Sequence, residues 1–236
     1  VWLYSSSAES PRNSSSAVDY LDYRRDFKSF ESVAALGVFS PAADLPAKVG
    51  TEPYRLTLVS HNFFSTLRVR QALGRTFVPA DELAGGAHVV VVSHRFWRDY
   101  MGGRADILQQ SLDLDGTARS VVGVMPADFA FPEGVDLWLP LRHDHPAAEG
   151  RGTNNFSMFG RLKPGVGLGG ARAEATVLAR RIAQAHPDSK AGWGLLLTPM
   201  HEVFFGDYRQ AMTLLMAAVV LLLLVACANV SSLFLA

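Results

Sequence analysis

The chain has 236 residues, 22 basic and 22 acidic, for a formal net charge of zero. That balance gives no basic excess to point to nucleic acid, and a single cysteine, Cys227, excludes an intrachain disulfide and a thiolate metal cluster. Every charged residue precedes Ala211, so residues 1–210 have an ordinary water-soluble composition, enough for one large domain or two small ones, whereas 211–236 are charge-free.

The chain begins Val1-Trp2-Leu3-Tyr4, with no Met and no basic, apolar leader, and ends within the charge-free run. The expectation is a fragment of a longer membrane protein. Residues 1–14, rich in Ser and containing Pro11, read as a linker. Ser15 or Ser16 is placed to cap a helix over 17–28, in which Asp19 and Asp22 share a face with nearby arginines and read as solvated. Residues 30–40 suggest a strand ending at Pro41, and 44–53 are turn-rich. Residues 54–60 alternate with the period of a half-buried strand, and 61–67 form a short helix with Ser60 or Asn62 near its cap.

Residues 88–93 are a β-branched run that reads as a buried strand, followed by a helix capped by Ser93 with Phe96 and Trp97 inward. Two alternating segments, 111–115 and 119–124, flank an Asp115-Gly116 hairpin turn. Prolines fix short extended pieces at 129–132 and 136–140. Residues 143–152 read as polar loop, 156–163 as a strand, 170–186 as a helix stopped by Pro187, and 195–199 as a last strand. Phe204, Phe205 and Tyr208 then suit a membrane interface. Residues 211–236 are long enough to cross a bilayer core of about 30 Å, and a helix apolar on every face is rare in a soluble domain except as a buried core helix.

Candidate chemistry is sparse. Gly165-Val166-Gly167-Leu168-Gly169-Gly170 satisfies the dinucleotide fingerprint, follows a predicted strand, opens a predicted helix, and has Asp188 near the distance of a ribose-binding acid. Pro164 removes an amide beside the turn, however, and Arg161 and Lys163 make the strand half-polar, unlike a central parallel strand. His143, Asp144, His145 and Glu149 lie in a loop without the spacing of a structural zinc site. No catalytic motif is present, so no catalytic, cofactor-binding or metal-ligating residue is assigned. Within the apolar run, Asn229, Ser231 and Ser232 are either hydrogen-bonding groups toward neighbouring helices or tolerated polar residues, and the sequence leaves both open.

A series of short motifs, weak singly and specific in their order, covers nearly the whole chain from about Ser15. They are Asp19-Tyr-Leu-Asp-Tyr-Arg24, Val59-Ser-His-Asn-Phe-Phe64, Leu73-Gly-Arg-Thr-Phe77, Val91-Val-Ser-His-Arg-Phe-Trp97, Val122-Gly-Val-Met-Pro126, Phe129-Ala-Phe-Pro132, Asp136-Leu-Trp-Leu-Pro140, Gly160-Arg-Leu-Lys-Pro-Gly165 and Cys227-Ala-Asn-Val230. This order resembles the MacB-like periplasmic core domain of FtsX-type ABC transporter permeases, and within them the duplicated orphan permeases of acidobacteria and related bacteria. Two departures stand out. Leu108-Gln109-Gln110 replaces a valine–glycine step, and Gly167, Gly169 and Gly170 replace the polar residues that open the last helix. Because that site is an ordinary helix start in the family, the dinucleotide match looks accidental.

The resemblance implies a first transmembrane helix just before Val1 and, after the linker, an α+β extracytoplasmic domain at 15–210. It would comprise a part of two strand–helix–strand units, about 15–67 and 153–200, and a β-rich part inserted at about 68–152. A transmembrane helix follows at 211–236. It further implies a bacterial inner-membrane location with the main domain periplasmic, no active site and no cofactor in this chain. ATP would be hydrolysed by a cytoplasmic ABC ATPase, partner or fused, and its motion passed mechanically to the outer domain to drive export. Partners would be that ATPase, a second permease copy or duplicated half, the lipid bilayer and, in some assemblies, a periplasmic adaptor. The rivals are a membrane-tethered binding or sensor module without an ATPase and, more remotely, a membrane-anchored NAD-dependent oxidoreductase.

Overall fold

The computed structural model of the chain describes residues 1–37, 40–41, 54–114, 116–143 and 150–235, with the side chains at 40–41, 207–211 and 228–235 excepted. The predicted turn-rich segment 44–53, Asp115 and most of the 143–152 loop lie outside the described residues.

The fold is mixed α+β and is organised by two strands far apart in the chain. Strand β2 (Phe30–Gly37) pairs antiparallel with β10 (Phe156–Leu162), from Phe156 opposite Gly37 to Leu162 opposite Phe30, with one register shift between Arg161 and Leu162. Side chains alternate across a strand, so the pair presents two apolar faces. On one face Phe156 and Met158 join Val33 and Ala35 in a core with Tyr20 and Tyr23 of helix α1 (Ala17–Asp26) and Ala171, Ala175, Leu178 and Ile182 of helix α4 (Leu168–Ala185). The α4 residues recur at helical spacing and form the stripe that faces inward. On the other face Phe159 meets Phe63 of helix α2 (Phe63–Leu67), ring centroids 5.5 Å apart. Phe64 of that helix continues to Trp138 at 5.7 Å.

The sheet extends from this pair in both directions. β1 (Trp2–Ser6) and β11 (Gly194–Thr198) lie beyond β10. On the β2 side come β4 (Arg55–Val59), β9 (Leu137–Pro140), β6 (Val89–Val92), β8 (Thr117–Val124) and β5 (Leu73–Gly74). Off this path, β3 (Ser40–Pro41) pairs with β4, and β7 (Ser111–Leu114) with β8. The crossover that keeps the sheet continuous is β4 on β9, parallel, with Leu56 opposite Leu137 and Val59 opposite Pro140. A second apolar cluster sits beyond it, built from Tyr54, Val90, Val92, Phe96, Leu112, Val121 and Leu139. Phe96 belongs to helix α3 (His94–Asp99), which Ser93 caps by accepting from the Phe96 amide at 3.0 Å.

The leading residues differ from expectation. Residues 1–14 are not a linker throughout, because β1 occupies positions 2–6. Within it Leu3 is 1% exposed, and just before it the Val1 carbonyl accepts from the Gly160 amide at 2.8 Å. The Ser-rich composition concealed this, yet Ser5 is itself buried and hydrogen-bonded to Ser15 at 2.8 Å. Trp97, expected inward, is only half-buried. Pro187 does stop α4, and it also opens a short helix, α5 (Pro187–Lys190), from its first position.

Helix α6 runs Met200–Leu235, and its side chains from 212 to 227 are apolar, apart from Thr213, and exposed. Among the described residues no helix is long and apolar enough to cross a membrane.

Close approach of β10 to β2 depends on Gly160. A Cβ there would lie 2.5 and 2.7 Å from ring carbons of Phe30 and 2.9 Å from the Ser32 carbonyl, and the Phe30 ring is itself wedged against Phe27 at 4.7 Å. Gly160→Ala is expected to lower stability by about 1–3 kcal/mol, the usual range for overpacking. Urea unfolding monitored by circular dichroism checks this, and an unchanged midpoint would mean that the β2–β10 contact is looser than described.

Candidate functional site

The residue types that carry charge in this domain concentrate on helix α1, on two different sides. Ser16 starts the helix by accepting from the Asp19 amide at 3.0 Å. Helical spacing then puts Asp19, Asp22 and Tyr23 toward one neighbour, and Tyr20 and Arg24, four apart, toward another.

On the first side, Asp19 is 2% exposed and accepts from Arg151 at 2.8 Å, while the other guanidinium nitrogen of Arg151 reaches Asp22. The remaining Asp19 oxygen is met by the ammonium of Lys190, on α5, which is also buried. Lys190 further donates to the Asn154 side chain at 3.5 Å. The solvated face expected for Asp19 and Asp22 is thus corrected. Two cations from more than a hundred positions downstream cover it, and nothing local in the sequence announces them. Burial opposes the charge on Arg151, but its two carboxylate partners more than compensate and hold its pKa above the usual guanidinium value.

On the second side, the centre is Glu82, at the end of a 3-10 turn (Pro79–Glu82), 2% exposed. One carboxylate oxygen accepts from the His61 amide at 2.6 Å, and the other lies 2.9 Å from His61 Nδ1 and 3.3 Å from Arg24. His143 Nε2 stands 4.0 Å from that second oxygen, and the His143 amide donates to the Glu82 carbonyl at 2.9 Å. Arg24 also donates to the Tyr20 hydroxyl at 3.1 Å, and Tyr20 donates to the Asn62 side chain at 3.4 Å. Asn62 in turn donates to the Val33 carbonyl of β2 at 2.8 Å. A single carboxylate therefore gathers α1, the start of α2, the 3-10 turn and the segment after β9. Burial pushes the Glu82 carboxyl upward, but the His61 hydrogen bonds and the Arg24 charge outweigh it, and its pKa lies below the ordinary carboxylate value.

Chemically, these clusters hold segments together and offer no reactive group. Each carboxylate oxygen of Asp19 and Glu82 already faces a donor or a cation, so neither is poised to take a proton from a substrate. A shallow cleft of about 350 Å³ beside Asp22 and Arg151 has the same character, with Arg25 and Arg181 both engaged by Asp26.

Among the described residues, those singled out from sequence are not brought together. Asn229, Ser231 and Ser232 fall in α6, where their side chains lie outside the described residues. In the glycine-rich stretch, Gly165 takes a turn with φ of 80°, Gly167 stands at the N-cap of α4 with no side-chain cap, and Asp188 is exposed on α5. The strand before it is antiparallel to its neighbour β2, whereas a dinucleotide fold needs a parallel strand there. His143 is exposed, and Asp144, His145 and Glu149 lie outside the described residues. Among the described residues no three metal-ligating side chains are grouped to hold a metal ion. Glu82 carried no sequence signal, since its partners Arg24, His61 and His143 come from three separate segments.

Comparison with known proteins then bears on this architecture. A family model for the MacB-like periplasmic core domain matches residues 1–178. No curated protein matches the chain. Among solved structures, a domain assigned to a permease of Porphyromonas gingivalis superposes with a TM-score of 0.58 at 16% identity, over 84% of this chain and 87% of that one. The periplasmic region of MacB from Actinobacillus actinomycetemcomitans gives 0.54 at 12% identity, over 83% and 87%. The extracellular domain of the noncanonic ABC-type transporter YknZ from Gram-positive bacteria gives 0.58 at 14%, over 84% and 99%. At these identities the structural likeness speaks to the fold.

The Glu82 cluster makes a signed prediction. A carboxyl held low in the folded state stabilises the protein above its unfolded pKa, and that contribution is lost as pH falls through the folded value. Glu82→Gln is expected to cost about 1–2 kcal/mol at neutral pH, and the difference from wild type should shrink below about pH 4. Thermal melts of both proteins from pH 7 to pH 3 check this. A gap that stays constant across the range would remove the ionised carboxylate from the account.

Proposed function

This chain belongs to the MacB-like periplasmic core domain family, and from that premise we propose that it is the extracytoplasmic lever of an ABC-type permease, moved by the membrane helix that follows it. The family is one of transporter permease domains rather than of enzymes, and the solved structures of like fold are periplasmic or extracellular domains of such proteins. The observation that carries the reading is the family match over residues 1–178, joined to the long helix behind it.

In this reading α6 is the transmembrane helix in its part from 211 onward. Support comes from the sequence, charge-free from Ala211 to the end, and from the described stretch of the helix. There Leu221, Leu222, Leu223 and Leu224 are each 60–69% exposed, which is costly in water and favourable in hydrocarbon. The domain divides into a base, about 15–67 with 153–200, and a β-rich insertion, about 68–152. The two apolar clusters on either side of the β4–β9 crossover support that division. Closure of a cytoplasmic ATPase pair shifts α6, and the base carries the displacement to the insertion through three connections. These are the parallel β4–β9 ladder, the ring cluster from Phe63 to Trp138, and the Glu82 cluster. The domain then pushes on a partner or cargo, so that ATP is used elsewhere and no cofactor is held here. The location is the inner membrane, with the domain on its outer side and a second permease copy or duplicated half beside it.

The test is insertion. A Lys at the centre of a membrane helix costs about 2.5–3.5 kcal/mol. For residues 1–236 expressed by themselves, Leu222→Lys combined with Leu223→Lys is expected to move the chain from the membrane pellet to the soluble fraction, while Leu222→Ala with Leu223→Ala leaves it in the pellet. If the Lys pair fractionates like wild type, α6 is not embedded and the lever reading fails.

A further inference from the structure

The edge of the sheet carries a feature that mechanical coupling does not use. Among the described strands, β11 pairs on one side only, with β1. Helix α4 runs beside it, and Arg172 of that helix donates through both Nε and a terminal nitrogen to the Leu197 carbonyl, at 3.1 and 2.9 Å. A ladder carbonyl facing β1 is already occupied, so Leu197 points its carbonyl away from the sheet. Strand alternation then turns the N–H and C=O of Leu195 outward as well. Further along, α4 presents Ala179 and Ala183, whose small side chains open a cleft of about 920 Å³ between the helix and β11. Trp193 stands at its end, half-exposed and held by the Lys190 ammonium 5.6 Å from the ring. Arg180 lies on the rim and has no ion-pair or hydrogen-bond partner among the described residues, although the other clusters of this domain pair their arginines closely.

We infer that this cleft binds an extended segment of a partner protein that carries a carboxylate. An open strand edge supplies a main-chain N–H and C=O to an incoming strand, and alternate side chains of that strand enter pockets beside it. Here the exchange occurs at Leu195, an apolar side chain enters between Ala183 and Trp193, and the carboxylate meets Arg180. The Arg172 cap at Leu197 closes the edge beyond that point, so the docked strand is short. Among the described residues lining the cleft, the single charged one is positive, which favours an acidic segment over a basic one. The inference rests on the cleft and stands apart from the lever reading.

An array of hexapeptides alternating Val with Thr or Ser, each ending in Glu or in Gln, tests it when probed with the full chain in detergent micelles. Members ending in Glu should bind about tenfold more tightly, the worth of one charge-assisted hydrogen bond. Arg180→Gln should erase that preference, and Ala183→Trp, which fills the cleft, should erase binding. Leu195→Pro, which removes that N–H together with a side chain packed on the core, should weaken binding beyond the loss that Leu195→Ala gives. Hydrogen exchange with the best peptide should slow the Leu195 amide. Binding that ignores both Arg180 and Ala183, or no binding by any member, overturns the inference. So does protection of Leu195 that rises with protein concentration in the absence of peptide, because a second copy of the chain would then be the occupant.

Discussion

The pairing of β2 with β10 is the constraint on which the structure depends. It closes the chain over everything between Gly37 and Phe156, and both apolar faces of the sheet start from it. One face takes α1 and α4, and the other takes the phenylalanines of α2. Gly160, Ala34 and Ala35 keep that seam thin enough for helices to seat on both sides. Loop closure over so long an insertion costs only slowly growing entropy, so the fold tolerates a large body of chain between the two strands.

What makes that body more than a passenger is the continuity of the sheet through β4 and β9, backed by polar connections of unusual depth for a surface domain. Asp19, Glu82, Asp136 and Lys190 are all at most 4% exposed. Each is satisfied by partners of opposite charge or by backbone amides, which is the condition under which buried charge is tolerated. Asp136, for example, accepts from Ser93 at 3.0 Å and from Arg95 at 3.0 and 2.5 Å, which ties the start of β9 to the cap of α3. Such contacts are directional. They hold segments in one geometry, where an apolar contact would allow sliding.

Local patterns read well in the sequence. The Ser16 and Ser93 caps, the β6 valine run, the β7–β8 hairpin and the α4 helix with its stop at Pro187 each follow from residues within a turn or two of one another, and all stand in the structure. Strand β1 was hidden because serines are poor strand markers, and here they are buried by partners such as Ser15 that the sequence does not place beside them. The Asp19 and Glu82 clusters were hidden for a stronger reason. Arg151, Lys190, His61 and His143 reach them only after the sheet has formed, and no spacing rule links residues brought together that way. The glycine-rich stretch shows the converse, a pattern with the right spelling on a strand of the wrong direction.

The proposed lever role requires the globular part to lie outside the membrane, so its side of the membrane is the fact that matters most. With Cys227 replaced by Ala, a single cysteine at exposed position Glu9 can be offered a membrane-impermeant maleimide in intact spheroplasts. The account predicts the same labelling before and after lysis. Labelling that appears only once the cells are broken would place the domain in the cytoplasm and contradict it.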